Sequence, residues 1–423
     1  MNASKPKKVV VIGQGYVGLP VAVRAAEVGY EVVGIDIDPR RVESLQAGKS
    51  YVEDVSSERL RRVLESQNYR PSSSYEAAEG FDYAVVSVPT PLRETLPDLT
   101  FIELSARDLM VHVSPGCTVI LESTTYPGTT EELMVPILEE GSGLRAGEDF
   151  FVGYSPERID PGNPSYGFVE TPKVVSGIND ESLQRVNEFF GSLIETTVPV
   201  SGTREAELTK LLENTFRHVN IALVNELAVF AHQLGIDIWE AIDAAASKPF
   251  GFMRFTPGPG VGGHCLPVDP SYLSWQVRRR LGQNFRFVEL ANDVNDQMPS
   301  YVVQRATDLL NDACKSVRGA SILLVGLSYK KGTGDVRESP ALKVASLLLE
   351  RGANVAGVDP FVDEARWPEG VTRTGLSESS ARGWDLAIVI TDHDELDLEI
   401  LTQRGYPVLD TRNVVVGPSV VKL

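Results

Sequence analysis

KVVVIGQGYVGLPVAVRAAEVGYEVVGIDID, residues 8–38, reads as strand, glycine turn, helix and second strand. Its opening apolar run has no polar alternation, the pattern of a parallel strand buried on both faces. Gly13, Gly15 and Gly18 form G-x-G-x-x-G between that strand and the helix, with Tyr16 and Val17 inside the turn. The first glycine permits the turn, the second admits a pyrophosphate and the third lets the helix pack closely. The helix N-terminus then offers N–H groups and a positive dipole end to the phosphates. Asp36, eighteen residues beyond Gly18, closes the second strand. A carboxylate there bonds ribose hydroxyls and repels a 2′-phosphate, so the expected cofactor is NAD rather than NADP. Arg41, five residues on, weakens that preference slightly.

Further along, FDYAVVSVPTP and CTVILESTTYPG are strands of the same type, each ending in a polar turn. Ligands of such sheets sit at the carboxyl ends of the strands, so these turns are candidate contacts. ASILLVGLSYK, GANVAGVDPF and DLAIVITDHDEL repeat the order near the C-terminus without the glycine fingerprint. The expected class is α/β, with two Rossmann-like, doubly wound parallel-sheet domains joined by a long central helix. That helix is TREAELTKLLENTFRHVNIALVNELAVFAHQLGID, about 30 residues of good helix formers. Its apolar residues spread widely around the circumference, which predicts burial on several sides and suits a spine and a dimer interface. The expected domains are 1–200 for NAD, 201–315 for the helical centre with the cysteine loop, and 316–423 for the second Rossmann-like domain.

Bulk composition narrows the function classes. The chain has 423 residues, 42% hydrophobic and 23% charged, too long for one core. A net charge of −18 argues against nucleic acid and anionic membranes as partners. Three cysteines without framework spacing suggest free thiols, a reducing compartment and a cytoplasmic protein. The N-terminus lacks the pattern of a signal peptide, and no apolar run reaches about 18 residues.

One motif asks for chemistry beyond cofactor binding. GPGVGGHCLPVDPSYL, residues 258–273, sets Cys265 in a loop too rich in glycine and proline for a helix. A nicotinamide cannot efficiently take hydride from a free aldehyde, whose carbon must first become tetrahedral. A thiolate serves: its adduct gives up hydride as a thioester, which water cleaves. A cysteine buried in a turn for structural reasons is the competing reading. His264, Cys265 and Asp269 supply at most three ligands without paired spacing, so no metal is expected. Lys210 and Asn214 are four apart on the central helix. They form either an oxyanion-stabilising pair or a solvated polar stripe.

Together the motifs GQGYVGLP, SVPTPL, ESTTYPGTT, YSPERIDPGN, EAELTKLLEN, GPGVGGHCLPVDP and KKGTGDVRESPAL resemble the UDP-glucose/GDP-mannose dehydrogenase family over the whole chain. The resemblance implies an NAD-dependent nucleotide-sugar 6-dehydrogenase, dimeric, with a C-terminal domain for the UDP-sugar. It implies that Cys265 is the nucleophile, that Asp269 and Lys210 move protons, and that Asn214 and Lys210 hold the oxyanion. Thr124 and Glu157 would line the reacting centre; Thr90, Thr124 and Arg337 would face the cofactor. Arg158, Phe252, Gly262 and Lys330 would contact the sugar nucleotide. Pro161 and Val268 stand where the glucose and mannose branches carry a glutamate and a lysine. PERIDPGN and GGHCLPVDP are instead similar to the N-acetylhexosamine branch, UDP-N-acetylglucosamine enzymes first. A UDP-glucose or UDP-N-acetylmannosamine enzyme, a single-oxidation hydroxyacid dehydrogenase and a non-catalytic dinucleotide sensor remain open; counting NADH per sugar separates the reaction classes.

Overall fold

The computed structural model describes residues 6–93, 96–159, 166–263, 266, 268–379, 383–403 and 405–423. It divides into two compact units, Met1–Glu213 and Asn214–Leu423.

The strands of the first unit are β1 (Lys8–Ile12), β2 (Glu31–Ile35), β3 (Tyr69–Ser72), β4 (Tyr83–Val86), the paired two-residue β5 (Leu92–Arg93) and β6 (Leu96–Pro97), β7 (Thr118–Leu121), β8 (Phe151–Tyr154), β9 (Lys173–Gly177) and β10 (Thr197–Pro199). The large sheet runs β10-β9-β8-β7-β4-β1-β2-β3. It is the expected parallel sheet, with one antiparallel pairing, between β8 and β9. Residues of β1 alternate between two cores because successive side chains of a strand point to opposite faces. Val9 and Val11 pack with helices α1 (Gly18–Glu27), α2 (Pro39–Gln46) and α3 (Ser57–Glu65). Val10 and Ile12 pack with α4 (Thr100–Leu109) and α5 (Val135–Ser142). The helix α6 (Asp180–Leu193) adds Phe189 and Phe190 to the first of these cores.

The helix α7 (Thr203–Gln233) runs through the division point, and α8 (Ile238–Ala246), α9 (Asp269–Leu281), α10 (Arg286–Asp312) and α11 (Pro340–Glu350) follow. The second unit's sheet comprises β11 (Ser321–Val325), β12 (Asn354–Val358), β13 (Thr372–Arg373), β14 (Leu386–Val389), β15 (Val408–Asp410) and β16 (Val420–Lys422). Its order, β13-β12-β11-β14-β15-β16, repeats the β3-β2-β1-β4-β7-β8 arrangement of the first unit. Both are doubly wound orders that reverse direction beside the first strand, where such folds bind ligands. The echo in the sequence is therefore an echo in topology.

The central helix has the expected length, 31 residues. Burial on several sides does not hold: Phe216, Leu223, Leu227 and Phe230 are exposed. Offsets of seven, four and three residues set these four on one helical face, an apolar stripe that stays exposed among the described residues apart from an edge contact of Phe255 on Phe216.

Candidate active site

The turn after β1 is shaped by what surrounds it. Gly13 has φ +88°, and a Cβ there would lie 2.0 Å from the Ser87 carbonyl oxygen. A Cβ on Gly18 would lie 1.9 Å from the Gly13 carbonyl oxygen, so neither position admits another residue. A Cβ on Gly15 would meet no atom within 4 Å, and there the turn opens outward. The first turn of α1 carries no acidic residue and no side-chain cap, which leaves its positive end free for phosphate. Tyr16 is exposed, and Val17 half-buried at the helix start.

Asp36 is buried and holds this turn together. Its Oδ2 accepts the Gln14 backbone N–H at 2.9 Å and Arg41 Nη1 at 3.2 Å; its Oδ1 accepts the Asp38 N–H at 2.9 Å. Buried Gln14 accepts the Tyr69 hydroxyl at 2.8 Å, and its carbonyl accepts Tyr51 at 2.7 Å. The residues fit NAD: an open glycine turn, an uncapped helix start, and a carboxylate positioned by donors at the end of β2.

Two more strand ends face the same crevice. Ser123 Oγ donates to Val88 O at 2.9 Å and accepts its N–H at 2.8 Å, tying the loop after β4, which carries buried Thr90, to half-buried Thr124. From α7, Glu207 accepts the N–H groups of Gly128 at 2.6 Å and Thr130 at 2.9 Å, and the Thr130 hydroxyl at 2.7 Å. Burial nonetheless pushes its carboxyl up to about 7 against those three donors.

Glu157 follows β8. Its Oε1 accepts the N–H groups of Arg158 at 2.7 Å and Ile159 at 2.6 Å, and its Oε2 accepts Lys173 Nζ at 3.2 Å. Burial would raise this carboxyl, but the charge of Lys173, the Ile159 N–H and the charge of Lys210 outweigh it and hold Glu157 below the ordinary carboxylate value. Lys173 also donates to Glu122, which is fully buried and pushed up to about 7 by that burial. Glu157, Arg158, Phe168 and Lys173 line a pocket. The Arg158 guanidinium is held by Glu213 at 2.6 Å and by the Pro172 carbonyl, also at 2.6 Å. Sequence motifs pointed to Thr124 and Glu157 and passed over Glu122, Lys173 and Glu207. Glu122 stood inside ESTT, but nothing in TPKVVSG marked Lys173.

In the second unit, Asp269 is buried at the start of α9 and accepts Asn214 Nδ2 at 2.6 Å. Lys210 and Asn214 both lie on α7. His264, Cys265 and Pro267 lie outside the described residues, as does Pro161. The loop leading to them is anchored by a buried polar chain. The Gly258 N–H donates to Asn225 Oδ1 at 2.9 Å, Asn225 donates to Asn295 Oδ1 at 2.9 Å, and His218 pairs with Asn292 at 2.7 Å. The loop glycines also meet a steric demand from the neighbouring loop. A Cβ on Gly262 would lie 2.8 Å from both Glu338 O and Tyr329 Cβ, and one on Gly263 (φ +85°) 2.7 Å from the Tyr329 ring. Close packing on the 329–340 loop demands them. Phe252 is exposed.

Asp359 ends β12 as Asp36 ends β2, accepting the N–H groups of Leu327 at 2.8 Å and Phe361 at 2.9 Å. Here, however, His393 Nε2 lies 2.9 Å from Asp359 Oδ2, while the Gly332 N–H donates to Nδ1. That donor makes Nε2 the protonated nitrogen. Burial alone would raise Asp359, but the His393 hydrogen bond and three N–H donors bring it down to about 2. A carboxylate so engaged is closed to a ribose, which agrees with the missing fingerprint. Lys330 is half-buried on the same loop; Arg337 is exposed and bidentate on Asp335. Arg412, unmarked by any motif, donates Nε to Ile390 O at 2.7 Å, and its Nη1 stands 3.0 Å from where a Gly258 Cβ would be.

Three family models match successive stretches: the NAD-binding domain of the UDP-glucose/GDP-mannose dehydrogenase family over 7–194, its central domain over 204–297 and its UDP-binding domain over 323–417. A UDP-N-acetyl-D-mannosamine dehydrogenase of Pyrococcus horikoshii is 34% identical, covering 98% of this chain and 97% of its own. A UDP-N-acetyl-D-glucosamine 6-dehydrogenase of Pseudomonas aeruginosa is 37% identical, with coverage of 95% and 94%. Among solved structures, the UDP-D-ManNAc dehydrogenase of Pyrococcus horikoshii superposes with a TM-score of 0.89 at 32% identity, covering 98% of both chains.

Proposed function

The chain belongs to the UDP-glucose/GDP-mannose dehydrogenase family, and on that premise we propose that it oxidises the C6 hydroxyl of UDP-N-acetylglucosamine to the carboxylic acid. It is an NAD-dependent oxidoreductase acting on UDP-sugars. The observation that carries the reading is the combination, at the strand ends of one sheet, of an Asp36-clamped glycine turn and a Glu157 carboxylate held by two backbone N–H groups and Lys173. NAD held at that turn supplies the hydride acceptor, twice per sugar.

The chain's own residues then do the following. Glu157 and Asp269 are the carboxylates that take protons from the C6 hydroxyl and from the hydrolytic water. Lys210 and Asn214 stabilise negative charge on the C6 oxygen, and Thr124 lines the same centre. The Cys265 thiolate adds to the aldehyde carbon. Loss of hydride from the adduct leaves a thioester, and water cleaves it to the acid with return of the thiol. Lys330 and Arg412 attract the diphosphate, while Phe252, Gly262 and Arg158 shape the sugar side. Arg337 lies on the cofactor side. The working parts are a cofactor domain, a helical centre and a UDP domain, at 1–200, 201–315 and 316–423. The apolar stripe Phe216, Leu223, Leu227 and Phe230 supports a homodimer closed by a second copy of α7. No described helix is long and apolar enough to cross a membrane; use of NAD and the free thiols Cys117 and Cys314 support a cytoplasmic site of action.

UDP-N-acetylmannosamine is the second reading, supported by the Pyrococcus relative. A panel of UDP-sugars assayed for NADH release decides. UDP-N-acetylglucosamine should give two NADH per sugar and the highest kcat/KM; preference for UDP-N-acetylmannosamine selects the second reading, and preference for UDP-glucose overturns both.

A further inference from the structure

Behind Glu157 lies a buried ionic cluster that the reaction scheme does not use. Lys173, on β9, donates to Glu122 at the end of β7 and to Glu157 after β8, and also to the Pro156 carbonyl at 3.3 Å. Side-chain exposure is 6% for Lys173, 0% for Glu122 and 13% for Glu157. Among the three, only Glu157 and Lys173 line the pocket. The ring of Phe190 lies 5.0 Å from the Lys173 ammonium and helps to exclude water.

Such a cluster is a poor way to stabilise a fold. Removing an ammonium and two carboxylates from water costs several kcal/mol per ion, and apolar residues of similar volume often serve stability as well or better. Glu122 is also imperfectly satisfied, since its Oε2 is buried without a hydrogen-bond partner. Buried groups left in that condition call for a reason. Geometry supplies one. Glu157 receives two backbone N–H groups on Oε1 and the Lys173 ammonium on Oε2, which fixes both its direction and its charge. Glu122 in turn fixes Lys173. The other groups bearing on Glu157 are Glu122, near enough to interact with it directly through charge and hydrogen bonding, and Lys210 from α7.

We propose that Lys173, anchored by Glu122, is a positioning residue that holds Glu157 as an aimed carboxylate at the pocket. The proposal rests on the reading of Glu157 as a working carboxylate, and the test separates the two. The protein labelled with ¹³C at glutamate Cδ is titrated, with Glu157→Gln assigning the resonance. In the parent protein Glu157 should ionise below the ordinary 4.5. In Lys173→Met it should ionise above 4.5, the direction burial alone dictates, and Lys173→Arg should bring it back down. With the best UDP-sugar of the panel at pH 7, Lys173→Met should lose kcat by about tenfold or more, as misplaced reacting groups do. Its KM for NAD should stay within about twofold, and Lys173→Arg should recover part of the loss.

A folded Lys173→Met that leaves either the Glu157 titration or kcat unchanged overturns the proposal. Should that variant fail to fold, the parent titration decides alone, and ionisation at or above 4.5 refutes it. Full activity in Glu157→Gln instead sinks the role given to Glu157, whatever Lys173 does to its titration.

Discussion

Asp36→Asn is the change whose consequences the structure specifies most fully. The parent carboxylate accepts two backbone N–H groups, from Gln14 and Asp38, and pairs with Arg41 at 3.2 Å. An asparagine has one acceptor oxygen, so one of those N–H groups then faces an amide NH₂. Leaving a buried donor unpaired costs about 1–3 kcal/mol, and the melting temperature should fall accordingly. The electrostatic change is larger. Like unit charges about 4 Å apart repel by about 4 kcal/mol at an effective dielectric of 20, and the 2′-phosphate of NADP carries more than one. Arg41, released from its partner, becomes a cation available to that phosphate. The ratio of kcat/KM for NAD to that for NADP should therefore narrow by about 10²–10³-fold, at about 1.4 kcal/mol per decade. Steady-state NADH and NADPH formation with saturating UDP-sugar measures it. Asp36→Asn with Arg41→Ala should restore a good part of the preference, because the attractive half of the effect is gone. A parent enzyme that uses both cofactors equally, or an Asp36→Asn variant whose ratio moves by less than about threefold, would refute the reasoning.

Other perturbations have equally definite outcomes. Cys265→Ser should stall after about one burst of NADH as a covalent sugar ester, visible by intact-protein mass spectrometry, because an ester is cleaved far less readily than a thioester; Cys265→Ala forming acid at the parent rate would mean a structural cysteine. Glu207 binds its proton more tightly folded than unfolded, since its carboxyl is raised from 4.5 to about 7. It makes the fold lose about 3 kcal/mol as pH rises from 4.5 to 7. Urea denaturation of Glu207→Gln across that window should show a shallower decline than the parent, and an equal slope would refute the assignment. Lys330→Ala should raise KM for the UDP-sugar more than KM for NAD, since a lost cation weakens binding of a diphosphate; the reverse order would move the cofactor to the C-terminal unit. Leu227→Asp with Phe230→Asp, measured by light scattering after size exclusion, should give monomers if α7 closes the dimer.

The sequence by itself determined whatever depends on neighbours along the chain. The glycine fingerprint was legible because a positive φ at Gly13 and the close approach at Gly18 are local demands. The strands were legible because burial on both faces leaves an unbroken apolar run, and α7 because 31 residues without proline or glycine sustain one helix. Asp36 could be assigned from its distance beyond the turn. The tertiary structure decided what depends on strand order. Glu122, Glu157 and Lys173 are 35 and 16 residues apart in the chain, and they meet only because β7, β8 and β9 are neighbours in the sheet. His393 reaches Asp359 for the same reason, through β14, β11 and β12 side by side, and the two form a closed internal pair. The glycines before Cys265 look alike in the sequence whether they clear a ligand or a neighbouring loop. Tyr329 and Glu338, more than sixty residues away, add the packing demand of a neighbouring loop, which the sequence alone does not display. Local conformation is written in short-range sterics and periodicity, whereas a buried charge draws its partners, and so its ionisation, from residues that only the folded sheet brings together.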